Sequence, residues 1–244
     1  MFHRFTTSFT AKRFVLIIAS ILFAISGLAL PGLSGVHPAY ANNGIVVWNT
    51  NDTGSGSLRQ AISLALGYTG ATTISFSVNG TITLGSSLVI NSTSSNPITI
   101  DATGYSVVID GNYSVVPFNI QLGAVVTLNG LTITHGNTST IGGGVLNGGT
   151  LTITNSVLSY NSAAFDGGGI GNSYLLTLSG DFLNGNSTGT GGSGGAILNE
   201  YGGVLTMNSC VLYNNTAGNG AAINDYRATT TINDSTFHNN HATR

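Results

Sequence analysis

Apolar and polar residues alternate in short runs along most of the chain beyond Ala71. Leu151-Thr-Ile153-Thr and Leu176-Thr-Leu178-Ser show it most plainly, and Val126-Thr-Leu128 lies 25 residues before the first of these. A period of two is that of a strand with one buried face. Helical spacing is absent here, and the intervening residues are Gly, Thr, Ser and Asn, all poor in helix interiors. The runs predict strands at Ile74–Val78, Thr81–Leu84, Leu88–Ile90, Ile98–Ile100, Val107–Ile109, Phe118–Ile120, Val125–Leu128 and Leu131–Thr134, after a first strand at Ile45–Trp48. One stretch follows a different period. Leu58, Ala61, Ile62, Ala65 and Leu66 share a helical face, Ser57 and Gln60 fit a capping box, and Gly67 is a stop. This helix is expected to cover an open end of the core that would otherwise offer unpaired strand edges.

The alternation sits inside a longer recurrence. Gly142-Gly143-Gly144-Val145 returns as Gly167-Gly168-Gly169-Ile170, Gly194-Gly195-Ala196-Ile197 and Gly220-Ala221-Ala222-Ile223. A second motif follows each opening: Leu158-Ser-Tyr-Asn161, Leu183-Asn-Gly-Asn186, Leu212-Tyr-Asn-Asn215 and Phe237-His-Asn-Asn240. A fixed period in this range means stacked supersecondary units sharing one core, and a unit of short strands and Gly/Asn turns is one coil of a parallel β-helix. Equivalent residues then stack. Leu158, Leu183, Leu212 and Phe237 form an inward column; Asn161, Asn186, Asn215 and Asn240 form a ladder at the next turn, where buried amides bond backbone groups. Asn147, Asn172, Asn199 and Asp225 suggest a second ladder, and Thr127, Thr152, Thr177, Thr206 and Thr231 an outward column. Two or three irregular coils are expected before the four regular ones.

The pairing of GGA[I/V/L] with FxxN resembles the repeats of the chlamydial polymorphic outer-membrane proteins, although Leu stands at three of the four Phe positions. More broadly the chain is similar to secreted bacterial proteins of the pectate-lyase-like superfamily, and Asn51-Asp-Thr-Gly-Ser-Gly-Ser-Leu-Arg-Gln-Ala-Ile62 resembles the segment that opens many of them. The resemblance implies an all-β, right-handed parallel β-helix with coils of about 25 residues and a short N-terminal capping helix. The expected divisions are a signal peptide over 1–41, strand and capping helix over 42–70, irregular coils over 71–141 and regular repeats over 142–244.

Charge and compartment narrow the function. Arg4, Lys12 and Arg13 precede an uncharged apolar run from Phe14 to Leu30, and Ala39-Tyr40-Ala41 is a small-x-small site with cleavage expected after Ala41. An uncleaved anchor is the rival reading of that run. Beyond it the chain keeps Arg59, Arg227 and Arg244 against all eight acids of the sequence, for a formal charge of −5 (3 minus 8). That balance argues against nucleic acid and anionic membrane surfaces as partners. Cys210 is the only cysteine, so no internal disulfide forms; it aligns with Ser156, Asp181 and Ser235 as a small core or turn residue. The readings open for the C-terminal end are blunting by His and Asn side chains, end-to-end self-association through the last coil, or truncation relative to longer proteins.

Candidate chemistry is sparse. Asp101 and Asp110 flank one turn region and are the candidates for a shared calcium ion; the competing reading is ordinary turn aspartates. His238-x-x-His241 lacks a third ligand. The glycine triplets lack the Gly-Lys-Ser/Thr ending of a phosphate loop. Polysaccharide elimination, which the resemblance invites, wants a basic residue and clustered Asp; the internal repeats hold Arg227 and no lysine. Hydrolysis wants two carboxylates facing across a groove. The expected function is therefore a non-catalytic secreted or cell-surface protein used for adhesion or carbohydrate contact, with an extracellular glycan as partner. A polysaccharide lyase or glycoside hydrolase is the alternative.

Overall fold

A computed structural model describes residues 43–244. Over these residues the chain winds into an all-parallel β-solenoid of about eight turns, with coils of about 26 residues and one short helix near the N-terminal end. The signal segment and its cleavage site after Ala41 lie outside the described residues. Each strand pairs with its equivalent one coil earlier and one coil later. An eight-stranded sheet runs from Asn43–Val47 to Thr229–Asn233, and a seven-stranded sheet from Gly80–Thr83 to Thr236–His238. A six-stranded sheet runs from Leu88–Ile90 to Ile223–Tyr226, and five two-residue strands from Asn137–Thr138 to His241–Ala242 bridge the turn between those two.

Alternation decides which side chains fill the interior. In the eight-stranded sheet Ile74, Ile100, Leu128, Ile153, Leu178 and Met207 stack in register, all fully buried. Burial of each contributes about 1.5–3 kcal/mol relative to exposure. The preceding position, pointing outward, is threonine in seven successive coils, from Thr73 and Thr99 through Thr127 and Thr152 to Thr231. The inward column of the seven-stranded sheet is Ile82, Ile109, Ile133, Leu158, Leu183, Leu212 and Phe237. In the last described coil the inward Ile232 and Phe237 are 44% and 43% exposed.

Polar groups in the turns are satisfied from coil to coil. Asn161, Asn186 and Asn215 are fully buried. Each accepts through Oδ1 from the preceding rung and donates through Nδ2 to the carbonyl of an inward residue one coil back. Asn240 closes this ladder by accepting from Asn215. The second ladder passes from Asn147 to Asn172, Asn199 and Asp225 through bonds of 2.7, 2.8 and 2.9 Å. The glycine triplets serve a different need. The first glycine of each, such as Gly167 at φ +65, lies in the left-handed region. The second packs directly under the following coil: a Cβ on Gly168 would lie 2.3 Å from the Ser187 carbonyl oxygen.

Helix α1 (Leu58–Leu66) buries Leu58, Ala61, Ile62 and Ala65 over the N-terminal end of the core. Ser57 is the N-cap, its Oγ accepting from Gln60 N at 3.2 Å. The reciprocal bond departs from the capping box: Gln60 Oε1 accepts from Gly56 N, because Ser57 N is already committed to Gly54 O. The helix also ends without a left-handed glycine, Gly67 having φ −85. Arg59 reaches off α1 to Asp52 at 2.6 Å and to the carbonyls of Ser86 and Ser87, so it ties the cap to the first full coil.

Candidate carbohydrate-contact face

The outward side of the seven-stranded sheet carries an aromatic row. Its strands end at Asp110, Thr134, Ser159, Asn184, Tyr213 and His238, which are in register. The chain then turns through one left-handed residue per coil: His135 (φ +50), Tyr160 (+54), Gly185 (+64), Asn214 (+53) and Asn239 (+52). Bulky residues adopt this region at a cost of roughly 1–2 kcal/mol. Tyr113, also left-handed at φ +53, sits one coil before His135.

These turns stack rings along the solenoid axis. The Tyr113 and His135 centroids are 4.4 Å apart, and those of His135 and Tyr160 are 6.5 Å apart with planes within 28°. Tyr160 then lies under the bare backbone of Gly185, where a Cβ would come within 2.8 Å of the ring. A second stack follows, Phe182 to Tyr213 at 6.5 Å and Tyr213 to His238 at 5.5 Å. Tyr113 and Tyr160 are 64% and 58% exposed. Polar groups border the rings. Asp110 lies 3.3 Å from His135 Nδ1 through both carboxylate oxygens, and Asn184 Oδ1 is buried without a partner. The row therefore sets rings, hydroxyls and amides side by side on one outward face.

The residues singled out from the sequence are dispersed. Asp101 belongs to the eight-stranded sheet and Asp110 to the seven-stranded one. Asp101 accepts from Thr103 Oγ1 at 2.6 Å, from Thr103 N and from Asn129 Nδ2; the Thr103 hydroxyl does most to hold its carboxyl below the usual range. Asp110 faces His135 instead. His238 stacks on Tyr213, whereas His241 lies in the five-stranded sheet. Among the described residues, no group of three or more His, Cys, Asp or Glu side chains is placed to hold a metal ion. Cys210 is buried, its thiol donating to Asn208 O at 3.3 Å and pushed up by that burial. Arg227 lies over the Tyr226 ring, 5.4 Å from its centroid.

One grouping had no sequence signal. Asp166 and Glu200 line a cleft of about 250 Å³ with Tyr201 and Tyr226. The coil step there is longer than the usual 25: Asn186 and Asn215 are 29 residues apart. Glu200 ends the strand Ile197–Glu200, in register with Tyr226, and Tyr201 follows at a left-handed φ of +49. Asp166 accepts from Ser193 N at 2.6 Å. Burial, and after it the Asp166 carboxylate, push the Glu200 carboxyl up. No helix among the described residues is long and apolar enough to cross a membrane. No protein-family model matches the chain, and no curated protein matches it significantly.

Proposed function

We propose that the protein is a non-catalytic secreted or cell-surface β-solenoid that contacts an extracellular glycan through the aromatic row of its seven-stranded sheet. The observation that carries this reading is the axial stack of Tyr113, His135 and Tyr160, with two rings more than half exposed. Tyr113, His135 and Tyr160 also hold left-handed backbone, a conformation that costs such residues roughly 1–2 kcal/mol and that clusters at functional surfaces. Secretion rests on the apolar run and Ala-x-Ala site before Asn42. Kinship with pectate-lyase-like or polymorphic outer-membrane repeats rests on the motif resemblance. The test is retention on immobilised neutral and acidic polysaccharides, comparing the wild type with Tyr113→Ala/Tyr160→Ala. Retention lost in the double variant, with unchanged thermal unfolding, supports the reading; equal retention by both proteins, or by neither, overturns it.

A second reading, glycoside hydrolysis, draws on the Asp166–Glu200 cleft. The two carboxyls share that cleft, and burial, with the Asp166 carboxylate after it, pushes the Glu200 carboxyl up, the direction a general acid needs. Release of reducing ends from any polysaccharide on the panel, abolished by Glu200→Gln, would favour it over the non-catalytic reading.

A further inference from the structure

Strand register builds the floor of the cleft that holds Asp166 and Glu200. Leu198 and Glu200 alternate with the inward Ile197 and Asn199, and they pair with Asn224 and Tyr226 one coil later. Tyr201 follows at the turn. Its ring stands nearly perpendicular to that of Tyr226, at 82° with centroids 5.3 Å apart. The carboxyls beside these rings are only partly engaged. Asp166 commits one oxygen to Ser193 N. Glu200 is half-buried, its carboxyl makes no hydrogen bond among the described residues, and neither oxygen is sealed from solvent. Neither acid is in an ion pair among the described residues, where the pairs are Arg59 with Asp52 and His135 with Asp110. Two carboxyls in one partly closed cleft disfavour each other's charge unless a cation joins them.

We propose that this cleft binds a protonated amino sugar, its ammonium donating to Glu200 and Asp166 and its ring lying in the corner of Tyr201 and Tyr226. The acids alone would not define a site; the rings beside them select the ligand. No basic side chain lines the cleft, so the charge it lacks is positive. A metal ion wants more ligands, and no three His, Cys, Asp or Glu side chains are gathered among the described residues. Aromatic rings favour an organic cation over a strongly hydrated one. Tyr226 already carries a cation of this kind, the Arg227 guanidinium 5.4 Å from its centroid, from a residue that does not line the cleft. The volume of about 250 Å³ accommodates one pyranose ring, with the Asn224 amide and Ser193 hydroxyl on its lining to meet ring hydroxyls. A lysine side chain would bring the charge, but its slender stem would leave these groups unused. The cleft shares no residue with the aromatic row, and binding there breaks no bond, so the proposal rests on neither reading above.

The test is calorimetric titration of the purified protein with glucosamine. The comparators are glucose and N-acetylglucosamine, which lack the charge, and an Nα-acetylated lysine amide, which lacks the ring. Glucosamine is expected to saturate a single site, with each comparator about tenfold weaker or more. Glu200→Gln, which keeps the shape and removes the charge, and Tyr201→Ala, at a turn position 66% exposed, are each expected to weaken glucosamine about tenfold. Tyr113→Ala/Tyr160→Ala is expected to leave it unchanged. Thermal unfolding establishes that each variant is folded. Absence of saturable glucosamine binding overturns the proposal. Equal binding of glucose or N-acetylglucosamine overturns it by removing the carboxyls from recognition. Equal binding of the lysine derivative overturns the assignment to a sugar and leaves a basic peptide as the occupant. Glucosamine binding that survives Glu200→Gln at full strength overturns it as well, whether or not the hydrolysis assay releases reducing ends.

Discussion

Asn186 Oδ1 accepts twice from Asn161, from its backbone N–H at 3.1 Å and from its Nδ2 at 3.0 Å. Asn186 repeats both bonds toward Asn215, at 2.9 and 3.0 Å. Each side chain in the ladder therefore closes one rung and opens the next. Asn186→Ala would orphan the Asn161 donors and the Leu158 carbonyl in a fully buried site. At about 1–3 kcal/mol for each group left unpaired, the variant should lose several kcal/mol in denaturant unfolding. Asn240→Ala, on the most exposed rung, should lose about 1 kcal/mol. Equal losses at the two positions would contradict a ladder whose strength comes from burial.

Asp181 supplies a pH dependence of definite sign. The residue is 1% exposed, and burial pushes its carboxyl up to about 7, against the N–H groups of Ser156 and Ser179 that favour the charged form. With the folded value above the unfolded 3.8, the native state binds the proton more tightly. Stability from this group is full below about 4, falls as pH rises, and is lost by about 7. Ser156 and Ser235 fill the equivalent positions and accept from Leu131 N and Cys210 N, so a serine suits the column. Asp181→Ser should raise Tm at pH 8 and bring little change at pH 4. A Tm difference between variant and wild type that is constant over this range would refute the assignment.

The second glycine of each triplet is set by its neighbour rather than by φ. A Cβ at Gly143 would lie 2.3 Å from Gly168 O, and one at Gly195 would lie 2.3 Å from Ala221 O. Gly168→Ala must push two coils apart and should cost upwards of about 3 kcal/mol. Gly104, with φ +82 and no atom within 4 Å, is the contrasting site; Gly104→Ala should cost about 1–2 kcal/mol through backbone strain alone. Chemical denaturation of the two variants measures the difference.

Much of the fold was legible because a solenoid writes its contacts as a sequence period. The recurrence of Leu158, Leu183 and Leu212 at the same offset from an asparagine marks their stacking directly, and the 3.6-residue spacing from Leu58 to Leu66 marks the only helix among the described residues. The aromatic face was not legible. Rings of its first stack occupy a turn column that reads His135, Tyr160, Gly185, Asn214, Asn239, whose common property is a left-handed backbone that four different residue types meet. Tyr113 enters the stack only because the turn after Asp110 is longer than its successors. Asp166 and Glu200 line one cleft from different coils, and nothing in their separation along the chain announces it. Asp101 and Asp110 show the converse: nine residues apart, they are carried to different sheets by one corner.

The ladder of Asn161, Asn186, Asn215 and Asn240 has a consequence for how such a gene changes. Every amide in it depends only on the rungs immediately before and after, and each rung offers the same donor and acceptor to the next. An in-frame duplication or deletion of one whole repeat therefore creates no orphaned group and requires no compensating substitution elsewhere. Length can drift by unequal recombination while each surviving repeat keeps its own surface residues, so the number of coils and the character of the outer faces are free to evolve separately.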